Sequence, residues 1–531
     1  MNLLLIIGAL IIFTCIFLNK VSSRLGIPVL LLFILLGVVV GWQDEVSIDI
    51  TERAGDACTV ALIFIMFYGG FGTNWKSAKP VAVESGLLAT VGVAMTASIV
   101  GIFCHFALGW SWVEGMIMGS VISSTDAATV FSILRTNKMG LKNNTAPMLE
   151  LESGSNDPCS YMLTAVMLSV LAGTASGGQV VWTIFSQLVF GALGGIVIAQ
   201  GAAFVLRRFT MPQGFDMMFI VAVAVFGYAF PSLIGGNGYL SVYIVGMILG
   251  NYEFKGRKGL ILFFDGVTTF VQILIFFILG YISHPTKLPD VLLTAVLIFL
   301  FILLVARPIA VASILAPFRK YPLRQIGLIS FVGLRGAASI VFAIMTITSG
   351  MSLDNDIFDI VFCIVLISIA LQGSLIPGAA KAFKMNDEDS DVMQTFSDFN
   401  EHCELSFGKV KIRVGGRWDN QMVKDLILPE DVKLLMVLRD KKKIITKGDT
   451  RILAGDEVVF CSKSYDNATV ADIREHPLSK KSIWSGKTIK DYSNNDGSYV
   501  VMIRRGNEQI IPDGNTVLCS GDILYLLNST I

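Results

Sequence analysis

Residues 149–158 read L-E-L-E-S-G-S-N-D-P in the middle of an otherwise apolar stretch. Glu152, Ser153, Ser155, Asn156 and Asp157 put two carboxylates and three neutral oxygen donors into that stretch. A lipid-exposed charge at such a depth costs roughly 3 kcal/mol or more, so these groups must face a water-filled or protein-lined cavity. A lone acid would suit an inert lock between two helices as well as a working group. An acid accompanied by Asn, Ser and a second acid within a turn and a half favours a working site of the kind that moves ions. Pro158 has no N–H, so the carbonyl near Gly154 is expected to lose its helical donor, weaken the helix and turn toward the cavity.

The surroundings support a membrane reading. The chain has 531 residues, 53% hydrophobic and 15% charged, with a mean hydropathy of +0.68. That is too apolar for a soluble enzyme and long enough for a dozen or so spans and one small domain. The formal net charge of zero points to no partner, and nucleic acid is not expected as one. The eight cysteines, including Cys403, Cys461 and Cys519 in the polar tail, show neither zinc-site nor disulfide spacing and read as reduced thiols. Residues 3–18 lack a preceding basic stretch and a following small-residue cleavage site, so they read as the first span, not a signal peptide.

Apolar runs of spanning length fall near 3–19, 27–42, 54–71, 82–108, 112–134, 146–172, 180–206, 215–233, 238–251, 261–282, 288–316, 323–348 and 356–380. Positive charge recurs in every second loop: Lys20 and Arg24; Lys76 and Lys79; Arg135, Lys138 and Lys142; Arg207 and Arg208; Lys255, Arg257 and Lys258; Arg319, Lys320 and Arg324; Lys381 and Lys384. The loops between hold only Arg53 and Lys287, with acidic stretches Q-D-E-V-S-I-D and L-D-N-D. The alternation predicts about thirteen transmembrane helices in an all-α polytopic domain, N-terminus outside and C-terminus cytosolic.

At 1.5 Å per residue, Asp157 lies roughly 16 Å from the inner end of its span, Arg335 roughly 18 Å in, and Asp126 roughly 21 Å from the outer end of the fifth run. All three are near the midplane. S-S-T-D-A-A-T (Ser123 to Thr129) and G-L-R-G-A-A-S (Gly333 to Ser339) each favour a break in a helix. If spans 1–6 and 8–13 are inverted repeats, the two breaks are equivalent, a pattern that marks a midplane ion site in secondary transporters. Close helix packing alone would explain either patch by itself; their corresponding positions favour the site. Arg335 needs a counter-ion, and Glu152 is expected to supply it as a structural ion pair. Arg307 is expected to pair with Asp265, Gln272 to bond between helices, and His105 to pack near the outer interface.

The tail begins with an acidic, polar linker at 385–402 and then repeats itself. W-D-N-Q-M-V-K-D from Trp418 matches W-S-G-K-T-I-K-D from Trp484, and the same shift of 66 positions carries I-I-T-K-G-D-T-R-I-L-A-G-D from Ile444 onto I-I-P-D-G-N-T-V-L-C-S-G-D from Ile510. Each copy, 403–475 and 476–531, predicts short strands with a helix start near its K-D, giving a small α+β tail. A unit of about 60 residues is marginal alone and should bury itself against its twin or a neighbouring subunit. The tail has no phosphate-binding glycine loop.

S-S-T-D (Ser123 to Asp126), E-S-G-S-N-D-P (Glu152 to Pro158), G-G-N-G-Y-L-S-V-Y-I-V-G (Gly235 to Gly246) and G-L-R-G-A-A-S resemble, in order and spacing, the monovalent cation/proton antiporter family of NhaP-type antiporters and sodium/proton exchangers. The resemblance covers residues 1 to about 384. It implies that Asp157 of the Asn156–Asp157 pair takes cation and proton in turn, that Thr125 and Asp126 help coordinate the cation, and that Arg335 pairs with Glu152. Asn156 before the key acid resembles the electroneutral branch. The tail copies resemble tandem RCK-C (TrkA-C) subdomains, similar to ones that bind cyclic di-AMP in some bacterial potassium systems.

The resemblance and the residues together lead to exchange of Na⁺ or K⁺ for H⁺ by alternating access in the cell membrane, with no cofactor. Asp157, Asp126, Thr125 and Ser153 supply the hard oxygen ligands, and proton and cation compete for one carboxylate. Expected partners are membrane lipid, a second copy in a homodimer, and a cyclic dinucleotide or other small ligand on the tail. Replacing Arg335 is expected to cost stability, with Glu152→Gln restoring it in part. The alternative is an RCK-gated cation channel, but no T-V-G-Y-G-like filter occurs. An intramembrane aspartyl protease could use Asp126 and Asp157, yet their Asn, Ser and Arg companions suit a cation better than a peptide bond. The choice between K⁺ and Na⁺ stays open.

Overall fold

The computed structural model divides into two units, Met1–Glu401 and His402–Ile531. It describes residues 2–25, 29–42, 48–137, 139–174, 176–209, 212, 214–252, 257–351 and 353–387 of the first, and 405–412, 414–416, 418–426, 428, 432–439, 442–463, 473–478, 482, 484–491, 499–506, 508–510 and 512–527 of the second. Lys138, Lys255, Cys403 and the expected linker beyond 387 lie outside the described residues.

Helices occupy every apolar run of the first unit. They are α1 (Asn2–Leu25), α2 (Val29–Gly41), α3 (Ile48–Gly72), α4 (Trp75–Leu108), α5 (Trp112–Ile122), α6 (Ala127–Thr136), α7 (Thr145–Leu171), α8 (Gly177–Arg208), α9 (Phe215–Leu233), α10 (Gly238–Gly250), α11 (Arg257–Ile282), α12 (Leu288–Phe318), α13 (Leu323–Phe331), α14 (Ala337–Thr348) and α15 (Ile357–Ala382). Among the described residues seven of them, α3, α4, α8, α9, α11, α12 and α15, are long and apolar enough to cross a membrane. Polar side chains mark several starts. Ser111 accepts from the Glu114 N–H, Asn237 from Leu240 and Asp356 from Asp359, while Ser176 and Gln179 form a capping box. Three helices widen into a π turn, at Leu88–Gly92, Ile302–Ala306 and Ser368–Gln372. Such turns recur beside functional sites.

Glycines bring helix backbones together. A Cβ on Gly246 or Gly250 of α10 would run into the carbonyls of Phe67 and Phe71 on α3, and Gly37 of α2 and Gly280 of α11 face each other in the same way. The G-G-N-G-Y stretch flagged in the sequence therefore leads into a packing helix. With α11 also packed on α3, helices α2, α3, α10 and α11 form one wall of the unit. A continuous apolar core runs from Cys15 and Phe33 through Phe67, Phe264 and Phe342 to Ile369. A smaller core gathers Val130, Phe131, Ile329, Ile376 and Met385.

Met385 carries the first unit past its expected end at residue 384. It is buried, its carbonyl accepts from the Lys142 N–H at 3.0 Å, and β2 (Asn386–Asp387) pairs antiparallel with β1 (Gly140–Leu141). Burial of one methionine was not visible in a stretch that reads as the start of an acidic linker.

The second unit holds two four-stranded antiparallel sheets of one topology. The first has the order β3 (Leu405–Lys411), β6 (Glu457–Lys463), β4 (Val432–Arg439), β5 (Lys442–Ile445); the second has β7 (Ile473–Pro477), β10 (Ile523–Leu527), β8 (Tyr499–Arg505), β9 (Glu508–Ile510). The 66-residue shift holds for side chains too. Arg439 grips Asp456 through Nε and Nη2 at 2.8 Å each and donates to the Arg451 carbonyl at 2.8 Å. Arg505 repeats this on Asp522 and the Val517 carbonyl. Gly455 and Gly521, both at φ +90°, make the turn before each aspartate, a left-handed conformation that favours glycine. The expected helix at each K-D is a single 3₁₀ turn, Val423–Asp425 and Ile489–Asp491. Three residues cannot repay the cost of helix nucleation, so among the described residues the tail is built on strands.

Candidate functional site

Two interrupted helices meet inside the first unit. The chain leaves α5 at Ile122, runs through Ser123 to Asp126, and re-enters helix at Ala127; it leaves α13 at Phe331 and re-enters at Ala337. The gaps touch through one backbone hydrogen bond, in which the Asp126 N–H donates to the Leu334 carbonyl at 2.9 Å. Helix ends carry orphan donors and acceptors and a partial charge, and the two ends of the first gap are each answered here by a side chain of opposite sign. Arg335 Nη1 donates to the carbonyls of Ser123 (3.0 Å) and Ser124 (2.6 Å) at the C-terminus of α5. Asp126 caps α6, accepting from the Thr129 N–H at 3.2 Å and the Thr129 hydroxyl at 2.6 Å. The two glycines flanking Arg335 make room for charge. A Cβ on Gly336 would strike the Asp126 carboxylate, and one on Gly333 would sit 2.9 Å from Arg307 Nε. The π turn of α15 completes the frame, since the Arg335 N–H donates to Ser368 Oγ at 3.0 Å.

Helix α7 lies against this crossing. Ser124 Oγ donates to Asp157 Oδ1, Ser153 Oγ donates to the Thr125 carbonyl at 2.7 Å, and Asn156 Nδ2 donates to Thr125 Oγ1 at 2.5 Å. Asn237 Nδ2 takes up the Pro158 carbonyl at 2.8 Å. The helix carries Pro158 without interruption, α7 running continuously from Thr145 to Leu171.

A cavity of about 410 Å³ reaches Asp157. Ser124, Thr125, Asp126, Ser153 and Asp157 line it around the crossing; Tyr68, Glu150, Asp265 and Gln272 also line it. Four of the five residues singled out as ion-binding thus share one space. Asn156 is fully buried behind them and holds Thr125 instead. Ser124 was missed, although it stands in the S-S-T-D stretch already marked. It is the hydroxyl that touches Asp157.

The buried ion pair differs from expectation. Glu152 Oε1 meets Arg307 Nη2, with both side chains at most 3% exposed, and Arg335 is used at the carbonyl end of α5. Counting residues gives depth along a helix, but the partner is decided by direction, and the unwound 332–336 stretch aims Arg335 across the crossing. Asp265, the expected partner of Arg307, accepts from the Tyr68 hydroxyl at 3.2 Å.

A family model described as "Sodium/hydrogen exchanger, transmembrane" matches residues 9–382, and the TrkA-C domain model matches twice, at 409–472 and 473–529. The protein called K(+)/H(+) antiporter NhaP from Alkalimonas amylolytica is 30% identical over 501 residues, covering 92% of this chain and 86% of that one. The K(+)/H(+) antiporter NhaP2 of Shewanella baltica (strain OS223) is 31% identical over 463 residues, covering 86% and 80%. Among solved structures, the sodium proton antiporter MjNhaP1 from Methanocaldococcus jannaschii at pH 8 shares the fold, with a TM-score of 0.63 at 22% identity over 70% of this chain and 100% of that one.

Proposed function

This chain belongs to the sodium/hydrogen exchanger family and is a multi-pass cation/proton antiporter, and we propose that it exchanges K⁺ for H⁺ electroneutrally, by alternating access, on the carboxylate of Asp157. The observation that carries the reading is the placement of Asp157 at the end of a roomy cavity, beside the oxygens of Ser124, Thr125, Asp126 and Ser153. A hard monovalent cation prefers such oxygens, and a proton takes the same carboxylate, so each displaces the other. K⁺ is preferred over Na⁺ in this reading because relatives at 30–31% identity are named for K⁺.

Charge arithmetic supports one-for-one exchange. Arg307 and Arg335 bring two positive charges to the crossing; Glu152, Asp126 and Asp157 bring three negative ones. A bound K⁺ makes the total zero, and so does a proton on Asp157. Both loaded forms can therefore reorient without moving net charge, while the empty form keeps an uncompensated charge in a region where this is costly. That penalty couples the fluxes.

The cavity lies toward the ends of α3 and α7 that adjoin basic loops, which fits an inward-open form in the cell membrane under thirteen crossings, inverted repeats and a cytosolic tail. We read the protein as a homodimer, and the TrkA-C pair as a regulatory module for a small ligand such as a cyclic dinucleotide. In proteoliposomes an imposed K⁺ gradient should drive saturable H⁺ movement across a pH series, with a smaller response to Na⁺ and no net current. Large currents without a pH change would favour a tail-gated channel instead.

A further inference from the structure

We propose that Asp265 is a docking residue for the incoming cation, setting apparent affinity from the wall opposite Asp157; this rests on the exchange reading above. Asp265, Thr268, Thr269 and Gln272 all line the cavity, and their spacing of three, four and seven places them on one face of α11. The stripe spans roughly 10 Å along the helix axis at 1.5 Å per residue. Apolar runs bracket the stripe, L-I-L-F-F before it and I-L-I-F-F after it, so between Leu260 and Phe277 the polar side chains are confined to the part that lines the cavity.

An acid within an apolar helix needs either a cation or water. Arg307, the expected partner of Asp265, is held by Glu152, and among the ion pairs of the described residues none involves Asp265. Its neighbour is instead the Tyr68 hydroxyl of α3, a neutral donor that orients the carboxylate and leaves its charge available. The two carboxylates also belong to different parts of the fold. Asp265 stands on α11, which is packed against α2 and α3, whereas Asp157 stands on α7 against the crossing. A cation entering the cavity passes between them. A fixed negative charge in a low-dielectric cleft concentrates cations, so its removal should raise the cation KM roughly three- to tenfold.

The test uses full-length protein in proteoliposomes, with K⁺-driven H⁺ movement recorded for wild type, Asp265→Asn, Asp265→Glu and Tyr68→Phe. The expected result is a several-fold higher KM for K⁺ in Asp265→Asn with the maximal rate within about twofold of wild type, a smaller rise in Tyr68→Phe, and near-complete rescue in Asp265→Glu. Adding an impermeant choline salt should shrink the difference by screening. An unchanged KM, or a lost maximal rate at constant KM, overturns the proposal. Equilibrium ⁸⁶Rb⁺ binding separates it from the exchange reading. If wild type exchanges nothing, that reading fails, while weaker ⁸⁶Rb⁺ binding by Asp157→Asn/Asp265→Asn than by Asp157→Asn still supports docking and equal binding refutes it.

Discussion

Replacing Glu152 with Gln leaves the Arg307 guanidinium, 3% exposed, without its counter-charge in the membrane interior. Breaking one side of a buried ion pair costs about 3–5 kcal/mol, because the remaining charge stays desolvated. Removing both partners is far milder, so Glu152→Gln/Arg307→Gln should recover about half or more of that loss. A double-mutant cycle isolates the coupling, for which 0.5–3 kcal/mol is the range for residues in contact, and about 2 kcal/mol or more is expected here. Arg335 gives the contrast. Its loss removes two hydrogen bonds to the carbonyls of Ser123 and Ser124, each worth about 1.5–3 kcal/mol, and Glu152→Gln should not restore them. Denaturant unfolding in mild micelles measures all five variants. The double variant also keeps the total charge of the loaded site at zero, so it should retain exchange that Glu152→Gln alone loses. Equal or larger coupling of Glu152 to Arg335 than to Arg307 would refute the pairing and the charge arithmetic built on it.

Gly336→Ala drives a methyl group into the Asp126 carboxylate, so exchange should fall at least tenfold while the protein still folds, measured as proteoliposome flux against the amount of monodisperse protein. In the tail, the forked hydrogen bonds of Arg439 and Arg505 hold the carboxyls of Asp456 and Asp522 below the ordinary carboxylate range. A lowered folded value means that this stabilisation is present above about pH 4 and is lost as pH falls through the folded values, so hydrogen exchange of β4 and β8 in the full-length protein should quicken only in acid. Arg439→Met should remove that dependence from the first sheet and leave the second unchanged. His284, in the loop after α11, is hydrogen-bonded to Asp359 at 3.1 Å, which raises its proton affinity. Its contribution is fully present below about pH 6.5 and lost as pH rises through the raised value, so hydrogen exchange at residues 283–287 should speed up on the alkaline side and lose this dependence in His284→Gln.

The features most legible in the sequence were those carried by spacing along one segment. Apolar runs and alternating loop charge placed the helices, two hydroxyl- or glycine-rich patches announced the interruptions at Ser123–Asp126 and Gly333–Gly336, and a constant shift exposed the tail duplication down to the Arg439 and Arg505 forks. Less legible were the features fixed by direction between segments. Arg307 and Arg335 have similar depths, so helix counting could not assign Glu152 to either, and only the path of the unwound stretch settles it. Asp265 is assigned an arginine partner for the same reason, whereas its neighbour is the Tyr68 hydroxyl, and that assignment hides its place in the cavity. Ser124 was passed over because four adjacent polar residues cannot be ranked without knowing which one turns toward α7.

The competition at Asp157 can be read without transport, by adding K⁺ to purified protein in weakly buffered micelles and recording proton release. Displacement of H⁺ from one shared carboxylate predicts up to one proton released per protomer from wild type, falling away as pH rises and the carboxylate empties of protons, and none from Asp157→Asn. Equal release from Asp157→Asn and wild type would contradict it.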